Sequence, residues 1–166
     1  MAIKNTNTRI GTSSNLVTGG TYDLLMITYP DGFPEGKIEF NIDDTPRKIT
    51  GIQKAAQTFL KILLTTKGSD LIYPSRGTMF SNYTINANNY LDDNVLVSEI
   101  SDAIKDAESQ AQAVLTSDPD PASQIAKIQI GGIDVSEESM LVYVQMITNA
   151  GETAQLAIPF PELDLE

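Results

Sequence analysis

At 166 residues the chain is long enough for one domain that buries about 68–70% of its unfolded surface without a covalent staple. It has no cysteine and no histidine, which excludes disulfides, zinc–thiolate sites and thiol nucleophiles and removes the commonest general base and transition-metal ligand. With 11 basic against 22 acidic residues the net charge is −11, so phosphate backbones and anionic membranes repel the chain, and neither nucleic acid nor membrane is expected as a partner.

Residues 1–20 are rich in Asn, Thr, Ser and Gly and show no sustained period, which predicts a flexible N-terminal tail. They hold no apolar core of a secretory signal, and no stretch approaches the ~18 apolar residues of a membrane span. The expected site of synthesis is a cytoplasm. Residues 21–29 are dense in β-formers, and 37–42 alternate with Ile38, Phe40 and Ile42 on one face. The turn-rich run at 30–36 links these two strands.

A first helix is predicted from Thr45-Pro46, an N-cap followed by a first-turn proline, with Thr50 as the alternative start because Gly51 weakens the first turn. Ile49, Ile52, Ala56, Phe59, Leu60 and Leu63 share its apolar face, and Gly68 is its expected stop. Residues 71–94, with Pro74, Gly77 and five asparagines, read as one long loop. A second helix should run from Asp93 to Leu115. Val97, Ile100, Ile104, Ala107, Ala111 and Val114 form its seam at spacings of three and four, expected to dock on the protein's own sheet.

After the breaker Ser117-Asp118-Pro119-Asp120-Pro121, three strands are expected at 124–130, 140–148 and 153–158. Gly131-Gly132 ends the first, and a turn at 149–152 joins the other two as a hairpin. The predicted fold class is α+β, a mostly antiparallel sheet with two main helices on one face, in a single domain at 21–160. Residues 161–166 form an acidic C-terminal tail.

Chemistry is sparse. Asp43-Asp44, Asp92-Asp93 and Glu137-Glu138 are adjacent pairs whose side chains diverge, and they sit at turns and helix starts where acids cap amides. No segment continues into a calcium loop, and no phosphate-cradling glycine pattern is present. These features predict no enzyme activity, no metal and no cofactor. A glycan hydrolase assembled from two distant carboxylates is the remote alternative.

One stretch carries more detail than its composition. Within 52–78, an amphipathic helix ends in Leu63-Leu64-Thr65-Thr66, followed by a charged turn with Gly68, then Pro74 and Gly77. This resembles the signature of the small baseplate wedge family of contractile phage tails, also found in type VI secretion baseplates. The order of the flanking elements extends the likeness over 38–160. The family's acidic–proline–arginine triplet after the second helix is present here only as Asp118-Pro119, without arginine.

The resemblance implies a fold similar to the inner domain of the sheath subunit. It also implies a structural role: a baseplate wedge component, about six copies around the tail axis, that links baseplate to sheath and starts sheath polymerisation by strand addition. Implied partners are sheath subunits and other wedge proteins, in a virion tail assembled in a bacterial cytoplasm. Some relatives carry a lysozyme-like label, which the missing acid pair argues against here. Another tail or connector protein, or a secretion-system baseplate component, is the alternative.

Strand addition needs an open sheet edge. The candidate partner-strand surface is Met140, Val142, Val144, Met146, Leu156 and Ile158, because 140–148 has no charge in nine residues. Two readings stand for that strand: an exposed edge, or a buried centre that leaves the edge to 153–158 or to the N-terminal strand.

Overall fold

The computed structural model describes residues 21–28, 39–40, 47–85, 93–135 and 140–159. The expected tails at 1–20 and 161–166, the turn at 30–36, and the acid pairs at 43–44 and 137–138 lie outside the described residues. The fold class is α+β, as the sequence predicts.

Four two-residue strands come first: β1 (Asp23–Leu24), β2 (Ile27–Thr28), β3 (Glu39–Phe40) and β4 (Lys48–Ile49). They pair antiparallel as β1–β4 and β2–β3. The first helix, α1 (Gly51–Leu64), therefore starts five residues after Pro46, because Lys48 and Ile49 are held in extended pairing with Leu24 and Asp23. Gly51 makes the sharp change of direction. Its φ is +59°, a conformation that costs other L-residues about 1–2 kcal/mol. Its N–H donates to the Ser123 hydroxyl at 3.0 Å, so the helix start is capped from a distant turn.

Ile52, Ala55, Ala56, Phe59, Leu60, Ile62 and Leu63 of α1 are buried, and burying each of the larger side chains is worth about 1.5–3 kcal/mol. Gln57 is buried too, on a side facing the N-terminal segment. Its Oε1 accepts from Met26 N–H at 2.6 Å, while its Nε2 donates to Leu24 O and to Asp23 at 2.7 Å. One carboxamide thus serves the segment as a neighbouring strand would. Lys61 pairs with Asp23 at 2.8 Å, and Lys54 pairs with the buried Asp118.

The expected long loop contains a short helix, α2 (Phe80–Ile85), started where Phe80 N–H donates to Thr78 Oγ1 at 3.1 Å. Then comes α3 (Asp93–Leu115), with the bounds the sequence predicts. Its buried stripe is Leu96, Ile100, Ala103, Ile104, Ala107, Ala111 and Leu115. Val97 and Val114, assigned to the seam from sequence, are 38% and 49% exposed. The stripe follows the 3.6-residue period of a helix on a sheet and not the 3.5-residue coiled-coil period.

The main sheet has the order β5 (Ile125–Val135), β6 (Met140–Thr148), β7 (Thr153–Pro159), antiparallel throughout. β5 runs through Gly131-Gly132 instead of ending there, and its register shifts beside Ala126 and Gly131 mark two bulges. Ile125, Ile128, Val142, Val144, Met146, Leu156 and Ile158 face one shared core with α1 and α3. On the opposite face, register aligns Gln129, Gln145 and Gln155 in a polar row across all three strands.

Within the breaker turn at 118–123 the polar side chains of Asp118, Asp120 and Ser123 are buried, while Pro119 and Pro121 are exposed. Asp118 accepts from Asp120 N–H, and Asp120 accepts from Ala122 N–H and the Ser123 hydroxyl. Burial acts to raise the Asp118 carboxyl. The Lys54 ammonium, the Thr21 hydroxyl and the Asp120 N–H outweigh it and hold the group below its usual 3.8. A folded value below the unfolded one contributes stability above the unfolded pKa, which is lost as pH falls through the folded value. Asp118→Asn should therefore cost about 1–3 kcal/mol at pH 7. In urea titrations the gap from wild type should close as pH drops below 3.8.

Candidate functional site

The motif residues of 63–78 come together as one rigid structure at the C-terminal end of α1. Leu63 is fully buried, and Leu64 packs partly against the same core. Thr65 ends the helix: its N–H donates to Lys61 O and Ile62 O, and its hydroxyl donates back to Lys61 O at 2.6 Å. Thr66 does not bond back. Its carbonyl accepts from the Ser69 N–H and hydroxyl, and the residue bridges Thr78. Gly68 lies beyond the helix end, at φ +88°, in the turn that follows, and so is not its stop.

The chain returns through Pro74 and Gly77, as expected. Gly68 N–H donates to Pro74 O, Lys67 N–H to Thr78 O, and Thr78 N–H to Thr65 O. From α3, Gln110 closes on Gly77 from both sides, accepting its N–H at 3.0 Å and donating to its carbonyl at 2.9 Å. Gly77 is at φ +96°, and a Cβ there would stand 2.3 Å from Thr65 O. Only glycine fits.

At the tip of this loop stand Leu71, Ile72 and Tyr73, which are 95%, 78% and 56% exposed. Sequence reasoning passed over them, although an apolar triplet between Asp70 and Pro74 in an otherwise polar loop was the available signal. Asp70 Oδ1 accepts from Ile72 and Tyr73 N–H at 2.9 and 3.0 Å. Those amides, Tyr73's first, and then the Arg76 charge keep the Asp70 carboxyl below 3.8, although desolvation opposes them. Arg76 lies 4.7 Å from the Tyr73 ring centroid and 3.7 Å from Asp70.

The sheet edges are the second feature. β6 is central, hydrogen-bonded to β5 on one side and β7 on the other, so it cannot accept a partner strand. Of the candidate partner-strand surface, Val142, Val144, Met146, Leu156 and Ile158 are buried side chains of the core. Met140 opens β6 opposite Val135. The uncharged run reads as a core strand because one face packs on the helices and both its ladders are occupied.

The β5 edge is capped at its start. Ile128 N–H, pointing away from β6, donates to Glu108 Oε1 at 2.7 Å, and Gln112 Nε2 donates to Ala126 O at 3.2 Å. Both caps come from α3, a common way to blunt an edge. The β7 edge differs. Thr148 N–H donates to Glu152 O. Antiparallel alternation from that bond turns the peptide groups of Ala154, Leu156 and Ile158 toward β6, and those of Thr153, Gln155 and Ala157 outward. Ala157 is fully buried and already engaged. Among the described residues no strand pairs with β7 on its outer side, and Thr153–Pro159 carries no charge.

Comparison of the chain with family models, curated proteins and solved structures finds no match. Among the described residues no three acidic side chains gather where a metal ion could sit, and no helix is long and apolar enough to cross a membrane.

Two predictions follow from the edge and the loop. Glu108→Ala leaves the Ile128 amide without its cap, which should cost about 1–3 kcal/mol and promote self-association, read by urea unfolding and sedimentation. Gly68→Ala, in open space, should cost about 1–2 kcal/mol. Gly77→Ala should cost distinctly more in the same thermal melts, because the clash with Thr65 O adds to the backbone strain.

Proposed function

We propose that this chain is a structural assembly subunit, without catalytic activity, that recruits a neighbouring chain by strand addition to the outer edge of β7. The observation that carries this reading is the asymmetry of the sheet: α3 caps Ala126 and Ile128 at the start of the β5 edge, while β7 presents Thr153 and Gln155 outward with no charged gatekeeper along the strand. Open, uncharged edges are normally suppressed, so one that persists beside a capped edge points to use.

Within that role, the helix end, turn and return loop at 63–78 favour the baseplate wedge of a contractile tail. The proposed partners are sheath subunits and other wedge proteins, with about six copies around the tail. A net charge of −11 suits protein partners better than nucleic acid or anionic membrane.

The energetics fit a nucleating contact. Two outward residues offer two donors and two acceptors, each bond worth about 0.5–1.5 kcal/mol net. A single added strand is weakly held. A ring of copies raises the effective concentration, so that a full set of arms binds tightly where one does not.

The test uses proline where it removes an outward donor and nothing else. At Val144 or Met146 it would break the central ladder and unfold the sheet. At Gln155 the β6 ladder is spared, because that N–H points away. Gln155→Pro and Gln155→Lys should assemble into baseplates yet give at least about tenfold fewer sheathed tails by electron microscopy. Wild-type sheath numbers with both folded variants would refute β7 as the nucleating edge.

A further inference from the structure

Lys54, Gln57 and Lys61 stand at spacings of three and four, so they share one face of α1, the side toward the N-terminal segment. Across that face runs a stretch of extended chain, residues 21–26, held by polar contacts. Gln57 Oε1 accepts from Met26 N–H at 2.6 Å and its Nε2 donates to Leu24 O at 2.7 Å. One buried carboxamide thus takes a main-chain donor and a main-chain acceptor of an extended segment. On the other side, Leu25 N–H donates to Arg47 O at 2.8 Å, and Asp23 and Leu24 pair with Ile49 and Lys48. The segment therefore lies in a groove between α1 and residues 47–49.

Little else about the segment is read. Asp23 accepts from Gln57 Nε2 at 2.7 Å and pairs with Lys61 at 2.8 Å. Burial acts to raise the Asp23 carboxyl, but Lys61 and then Gln57 outweigh it and hold the group below its usual 3.8, so the groove receives it as an anion. At the far end the Thr21 hydroxyl joins the Lys54–Asp118 pair, which does not need the segment to persist. Tyr22, Leu24 and Met26 are exposed, and no residue of 21–26 belongs to the apolar core. A segment so held can leave without opening that core, which places it at the low-stability end of the fold.

We infer that this face of α1 is a docking groove for an extended acidic segment of another protein chain, occupied here by the protein's own residues 21–26. The chemistry of the incoming segment is set by the one already seated. Gln57 and Arg47 O take an extended main chain, which supplies affinity, and Lys61 takes a carboxylate, which supplies selection. Tethering gives the resident segment an effective concentration on the order of millimolar, so another segment enters only by displacing it. The groove is separate from the β7 edge, and its failure would leave the β7 reading untouched.

The experiment titrates a fluorescently labelled peptide with the sequence of residues 21–28 into the full chain and into Asp23→Lys, read by anisotropy. In the variant the resident segment turns a like charge on Lys61 while the groove is unaltered. Asp23 lies outside the core, so the variant should keep the slow exchange of its Leu156 and Ile158 amides. It should bind the peptide at least about tenfold more tightly than wild type. Asparagine in place of the peptide's aspartate should weaken that binding about fivefold. Lys61→Glu added to Asp23→Lys restores an ion pair within the chain and should abolish the gain. Equal affinity of wild type and Asp23→Lys, or no binding to either, overturns the groove. So does binding indifferent to the peptide's aspartate, or a gain that survives Lys61→Glu.

Discussion

Alanines set the distance between α1 and α3. Ala55 and Ala56 on the first, and Ala103, Ala107 and Ala111 on the second, are buried in one core. Side chains that small let two helices lie side by side on one sheet face with the larger Phe59, Leu60, Ile100 and Ile104 filling the layer above β5, β6 and β7. Once α3 is fixed there, its remaining faces have fixed addresses. Gln110 meets Gly77, while Glu108 and Gln112 meet the outer edge of β5. The capped start of the β5 edge and the tied loop both follow from where one helix lies.

That arrangement leaves two exposed features with different physics. The β7 edge offers directional main-chain bonds and little apolar area, so its affinity is modest and its register strict. The loop tip exposes Leu71, Ile72 and Tyr73 on a turn held by Asp70, so what it offers a neighbour is apolar area. The N-terminal segment is fastened to α1 by Gln57 and Lys61 and, through Thr21, by Lys54, all by polar contacts.

The elements with long, regular patterns were legible before the structure. The strand at 140–148 was placed to the residue, the helix at about 93–115 was found, and the apolar face of α1 was read correctly. What failed was local chemistry that depends on distant partners. β4 exists because β1 lies beside it, so Lys48 and Ile49 looked like the start of a helix. Gly51 was weighed as a weak helix former, whereas its positive φ makes it the turn that admits the helix. The Gly131-Gly132 pair signalled an end and proved to be a bulge within β5. Val97 and Val114 were drawn into the α3 seam by heptad counting, which drifts from the true stripe over six turns. Whether β6 was central or an edge was beyond any reading of its own nine residues. The edge caps Glu108 and Gln112 lie 20 and 14 residues from the groups they cover, with no local pattern to mark them.

The proposed role rests on a β7 edge that no strand pairs at Thr153 and Gln155 among the described residues, and on a β5 edge capped at Ala126 and Ile128. Residue-resolved amide exchange measures this directly. In the free chain the Ile128 amide should be protected by Glu108, as should Leu156 and Ile158 within the ladder, while Thr153 and Gln155 should exchange as exposed amides. In the assembled particle Thr153 and Gln155 should become protected as well. Protection of those two amides already in the free chain, or their continued fast exchange after assembly, would contradict the account.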